Sequence, residues 1–137
     1  MKVRILLRSI QTENGETASS CLTACGTLDL TADGAKLCYT EREKDGGAAV
    51  CITVCGNQTE IDRRGEVSSH LVLENGKTHP CPVQTPYGSF EVCATALALE
   101  FLFEKSDGLL VAEYTLDTNG ADTRRRIEIR IKEVSPC

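Results

Sequence analysis

Turn dipeptides punctuate this chain at such short intervals that no long helix fits between them. Asn14-Gly15, Asp33-Gly34, Asp45-Gly46-Gly47, Gly56-Asn57, Gly65, Asn75-Gly76, Asp107-Gly108 and Asn119-Gly120 separate runs rich in Val, Ile, Leu and Thr. Turns of this kind between β-prone runs are hairpin signals. The alternation predicts strands over about 2–12, 16–24, 27–33, 35–42, 48–55, 58–64, 66–74, 77–84, 88–104, 109–117 and 121–134. The last is the plainest: Ile127, Ile129 and Ile131 alternate with Glu128, Arg130 and Lys132, so the isoleucines share one face and the charges the other. Val50, Ile52 and Val54 alternate in the same way with Cys51, Thr53 and Cys55. Residues 94–104 are rich in helix formers, yet Leu97, Leu99, Phe101 and Phe103 alternate. Phe90 and Val92 have the opposite parity, so a strand here requires a bulge or bend near Ala94–Ala96; a short helix is the alternative.

Hairpins in sequence order predict an all-β, antiparallel, mostly up-and-down closed barrel of about eight to ten strands, formed by a single domain over residues 1–137. A chain of 137 residues buries a core without staples. Aromatics make up 4% and there is no Trp, which leaves an aliphatic core and no platform for stacking bases. A net charge of −5 repels phosphate backbones and anionic lipid, so neither nucleic acid nor a membrane is expected as a partner. The run Arg124-Arg125-Arg126 reads as the solvated start of the last strand. No stretch approaches the ~20 apolar residues of a membrane span. The short apolar run after Met1 is broken by Arg8 and lacks a cleavage site, so a cytoplasmic location is expected. In that reducing compartment the eight cysteines should be free thiols used for packing.

The reactive residue types form no recognisable site. Cys21/Cys25 and Cys51/Cys55 are four apart, which on a strand separates them by about 13 Å, too far for one zinc with Zn–S bonds near ~2.3 Å. His70 and His79 stand isolated, and no metal or cofactor is expected. His79 and Cys81 could meet, but Pro80 and Pro82 make that stretch a turn or an irregular edge, and nothing supplies an orienting group. There is no Gly-rich phosphate loop and no nucleophile elbow, so no catalytic residue is assigned.

Parity does single out some polar residues. Leu37, Tyr39 and Glu41 share a face, as do Ile61 and Arg63, and as do Leu110, Ala112, Tyr114 and Leu116. If the leucines and Ile61 face inward, Glu41 and Arg63 do too. Inside a barrel they should pair, because a lone buried charge is costly.

Leu37-Cys38-Tyr39-Thr40-Glu41, Arg63-Arg64-Gly65, Thr85-Pro86-Tyr87-Gly88 and Glu113-Tyr114, in this order and spacing, resemble the YwiB-like family of small bacterial proteins of unknown function. The resemblance covers almost the whole chain and implies a calycin-like, lipocalin-like β-barrel. The chain departs from the family at Val83, where Tyr is usual, and at Ala94, where Thr is usual, which would alter ligand contacts there. By analogy the calycin comparison suggests small-ligand binding. The leading expectation is an intracellular barrel that binds a small, partly apolar molecule, with Tyr39, Glu41, Arg63, Tyr87 and Tyr114 lining or gating the site. The alternative is a filled barrel that works as a protein-interaction module, with a protein partner or a second copy of itself. A third is an enzyme of undetected type.

Overall fold

The computed structural model describes residues 1–43, 46–118 and 120–134. The predicted turn residues Asp45 and Asn119, and the expected free thiol of Cys137, lie outside the described residues. Ten strands follow one another: β1 (Lys2–Glu13), β2 (Glu16–Thr31), β3 (Gly34–Glu43), β4 (Gly46–Cys55), β5 (Gln58–Arg64), β6 (Ser68–Glu74), β7 (Thr78–Thr85), β8 (Gly88–Glu104), β9 (Asp107–Thr118) and β10 (Ala121–Glu133). Each pairs antiparallel with its sequence neighbours, and β1 pairs with β10 from Val3–Glu133 to Glu13–Thr123, so the sheet closes into a barrel. Among the described residues there is no helix, hence none long and apolar enough to cross a membrane.

Alternation places the core. Val3, Ile5 and Leu7 of β1, Leu37 and Tyr39 of β3, Val50 and Ile52 of β4, and Ile129 and Ile131 of β10 are all buried in the barrel interior. Phe101 and Phe103 of β8 pack against this group. A second cluster gathers Leu71 and Leu73 of β6, Cys81 of β7, Val92, Ala94 and Ala96 of β8, and Ala112 and Tyr114 of β9.

Several sequence expectations are corrected. Residues 16–24 and 27–33 are one strand, β2, because Gly26 does not break the sheet. It lies where the β3 backbone comes so close that a Cβ would sit 2.3 Å from the Cys38 carbonyl oxygen. The turn expected at Asp107-Gly108 falls instead on Lys105 and Ser106, whose φ values are 51° and 74°. Gly108 is inside β9, where a Cβ would meet the Phe103 ring at 2.6 Å. Residues 88–104 do form the expected strand, with the register shift between Ala96 and Ala98, just past the Ala94–Ala96 expected for it. The cysteines are not all free thiols: Cys38 and Cys51 lie directly opposite each other on β3 and β4, with Cα atoms 4.2 Å apart, and are joined as a disulfide. Cys21, Cys25, Cys55, Cys81 and Cys93 are free.

One seam is thin. Strand β7 pairs with β8 along its full length, but with β6 only at Ser68–Gln84 and Ser69–Val83. Successive residues of an antiparallel strand turn their hydrogen-bonding groups to opposite neighbours. The intact β8 ladder therefore leaves the nitrogens of Pro80 and Pro82 facing β6, where they have no hydrogen to donate.

Candidate ligand-binding site

In an up-and-down barrel, connections alternate between the two ends. The interior is filled with aliphatic side chains toward one end, around Val3, Ile5, Leu28, Leu37, Ile129 and Ile131. Toward the other, where β1 joins β2 and β5 joins β6, the side chains leave a cavity of about 470 Å³. Its apolar wall includes Leu7, Leu22, Ile61, Leu71, Val92 and Ile127, and its polar groups include Ser9, Ser20, Tyr39, Glu41, Arg63, Ser69, Tyr114 and Arg125.

The polar centre is held by three strands. Glu41 follows Leu37 and Tyr39 on the inward face of β3 and is only 8% exposed. Arg63 follows Ile61 on β5 and reaches over β4 to β3. Its Nη2 donates to Glu41 Oε1 at 2.9 Å and its Nη1 lies 2.8 Å from Oε2, a two-pronged contact that fixes both planar groups. Tyr39 donates to Glu41 Oε1 across a longer 3.5 Å. Burial, reinforced by the negative charge of Glu41, pushes the Tyr39 phenol well above its ordinary range. Tyr114 on β9 is 2% exposed, and burial raises its phenol as well, with the neighbouring Arg125 guanidinium pulling the other way. Both tyrosines therefore remain protonated, neutral hydroxyls.

Four of the sequence-predicted residues, Tyr39, Glu41, Arg63 and Tyr114, thus line one cavity. Tyr87 is not brought to it. It sits in the turn between β7 and β8, fully solvent-exposed at 99%, because the Thr85-Pro86-Tyr87-Gly88 segment closes on itself: Thr85 Oγ1 accepts from the Tyr87 N–H at 3.1 Å and donates to the Gly88 carbonyl at 2.9 Å. That motif builds a turn and leaves the tyrosine ring outside.

Sequence reasoning missed Arg125. Read within a run of three arginines it looks solvated, and for its two neighbours that reading holds. Arg124 pairs with Glu113, and Arg126 with Glu113 and Glu128, on the outer face. Arg125 shares the parity of Ile127, Ile129 and Ile131, and so turns inward between its ladder partners Gln11 of β1 and Tyr114 of β9. Its Nη2 donates to Gln11 Oε1 at 2.8 Å, while its Nε is buried without a hydrogen-bond partner.

Other reactive groups stand apart. Cys81 lines the cavity, but burial pushes its thiol up, away from the reactive thiolate. His79 Nε2 lies 3.3 Å from Glu74 Oε1, and His70 Nδ1 lies 2.6 Å from Asp62 Oδ1 across β5 and β6. Among the described residues no three His, Cys, Asp or Glu side chains come together as metal ligands.

A family model described as "Domain of unknown function (DUF1934)" matches residues 5–131. Among solved structures, the chain is similar to the ywiB protein from Bacillus subtilis, with a TM-score of 0.87 over 98% of this chain and 92% of that one, at 13% sequence identity. At that identity the likeness concerns the fold alone. None of the curated proteins matches.

Proposed function

This chain belongs to the DUF1934 family, domains without an assigned activity, and on that premise we propose that its barrel binds a small, partly apolar molecule in the interior cavity. The observation that carries the reading is the unfilled end of the barrel. A filled interaction module would close both ends, whereas about 470 Å³ is left open beside Tyr39, Glu41, Arg63 and Tyr114. That volume lies within the roughly 300–1,000 Å³ of small-molecule sites, and a few convergent polar groups in an apolar wall are their usual lining. The calycin analogy drawn from the sequence points the same way. The reading places binding in the cytoplasm; the Cys38–Cys51 bond argues for a more oxidising compartment, and a thiol count on protein from its own host decides between them. Native mass spectrometry of that same protein tests the binding. A retained small molecule, lost when the cavity is filled by Ser69→Phe, supports it. A chain that carries nothing, and takes up no fluorescent amphiphile, overturns it.

A protein partner has one observation in its favour. Leu6, Arg130, Leu109 and Leu102 are ladder neighbours across β1, β10, β9 and β8, and the three leucines are exposed on the outer face. Sedimentation of the chain with Leu102→Ser beside the unaltered one tests whether that face joins copies of the chain.

A further inference from the structure

We infer that the molecule held in this cavity carries an anionic group, a carboxylate on an otherwise apolar body, and that Arg125 receives it. The inference rests on the binding reading above and names the chemical class of its ligand. Two guanidinium groups line the cavity, Arg63 and Arg125, and among the described residues Glu41 is the only carboxylate that does. Both oxygens of Glu41 are engaged by Arg63. Arg125 meets neutral groups instead, the amide oxygen of Gln11 and the hydroxyl region of Tyr114. The nearest acidic residues in its ladder do not help: Glu113 and Glu128 have the outward parity and are taken up by Arg124 and Arg126.

A positive charge half-buried in a cavity wall favours a counter-ion, and the fold supplies none to Arg125 from its described residues. The arrangement is also prepared geometrically. Gln11 Oε1 holds the guanidinium from β1 and Tyr114 stands opposite Arg125 in register on β9, while the buried Nε–H, one arm of the fork that grips a carboxylate, has no acceptor. The Tyr114 hydroxyl, kept protonated by burial, adds a second donor beside it. Leu7, Leu22, Leu116 and Ile127 then offer the remainder of the cavity to a hydrocarbon body.

Calorimetric titration of the delipidated chain with decanoate, decan-1-ol and decyltrimethylammonium, at one ionic strength, tests this. Decanoate should bind about ten- to a hundredfold more tightly than the alcohol, the usual worth of hydrogen bonds to a charged group. Arg125→Gln should abolish the preference, weakening decanoate far more than the alcohol, and Arg125→Lys should keep part of it. Equal affinity for decanoate and alcohol, tighter binding of the cation, or a preference that survives Arg125→Gln overturns the inference while the binding reading stands. If none of the three binds, both fall. Should Arg125→Gln fail to fold, the preference of the unaltered chain between decanoate and decan-1-ol decides the matter alone.

Discussion

The two ends of this barrel are built by the same strands on the same alternation, yet one is mostly packed, with a pocket of about 220 Å³ among the turns at Asp33, Gly56 and Asn75, and the other holds a cavity of about 470 Å³. Along the inward face of β1 the side chains run Val3, Ile5, Leu7, Ser9, Gln11; down β10 they run Ile131, Ile129, Ile127, Arg125. Strand β3 passes from Ala35 and Leu37 to Tyr39 and Glu41, and β2 from Leu28 to Leu22 and Ser20. Each strand therefore carries two messages. Parity decides whether a residue faces the interior, and position along the strand decides whether it meets a filled core or a polar chamber. Around Ile5, Ile129 and Ile131 the neighbours are apolar and close, so removing volume leaves a void. At the hollow end the void already exists, and what holds the wall is hydrogen bonding between charged and hydroxyl groups.

The largest expected effect tests the packed end. Ile129 is fully buried, and Ile129→Ala should cost about 2–5 kcal/mol in urea unfolding. A cost under about 0.5 kcal/mol would mean that this end is as loose as the other. Next comes the polar clamp. Arg63→Met leaves the carboxylate of Glu41 without its main partner and should cost about 1–3 kcal/mol, less than a fully dry pair because the Arg63 side chain is 32% exposed. Adding Glu41→Gln to that variant should recover much of the loss, since the two residues act as one unit. If the double variant loses the sum of both singles, the clamp is not coupled. Leu116→Ala, in the cavity wall, should cost only about 1 kcal/mol, because its side chain borders space that is already empty. A loss equal to that of Ile129→Ala would erase the contrast between the ends.

The smallest effect at neutral pH belongs to the tyrosines. Burial raises the phenols of Tyr39 and Tyr114 above the usual value of about 10, so the folded chain binds those protons more tightly than the unfolded one. Stability from this source is complete below about pH 10 and is lost as pH rises beyond it, toward the folded values. Melting temperatures should therefore hold level through neutral pH and decline under strongly alkaline conditions. In Tyr39→Phe the alkaline decline should be shallower.

Much of this was legible from the residues alone. The hairpin dipeptides and the Ile127–Ile131 alternation announce an antiparallel barrel, and parity places Tyr39, Glu41, Arg63 and Tyr114 on inward faces. The same rule applied to Ile127, Ile129 and Ile131 reaches Arg125, but three consecutive arginines read as a solvated block, and composition obscured the period. Gly108, and the break read between residues 24 and 27 around Gly26, misled for a related reason. Glycine marks turns through its dihedral freedom, yet at these two positions it answers to crowding from Cys38 and from Phe103, which sequence spacing does not reveal. Tyr87 misled because a motif shared by a family can specify a turn, with the exposed side chain at its tip incidental to the interior. The Cys38–Cys51 bond depends on the β3–β4 register, which brings two residues thirteen apart in sequence face to face.

The thin seam between β6 and β7 bears on what such a barrel exposes when it opens locally. A closed sheet has no edges at rest, but the place with two ladder pairs is where it should part first, and amide hydrogens of residues 70–74 should exchange ahead of those in β1 and β10. Parting would expose raw strand margins, the usual template for runaway strand addition. On the β7 side that margin carries Pro80 and Pro82, which have no N–H to offer an incoming strand. The residues that weaken the seam also make its opened β7 edge a poor seed for aggregation.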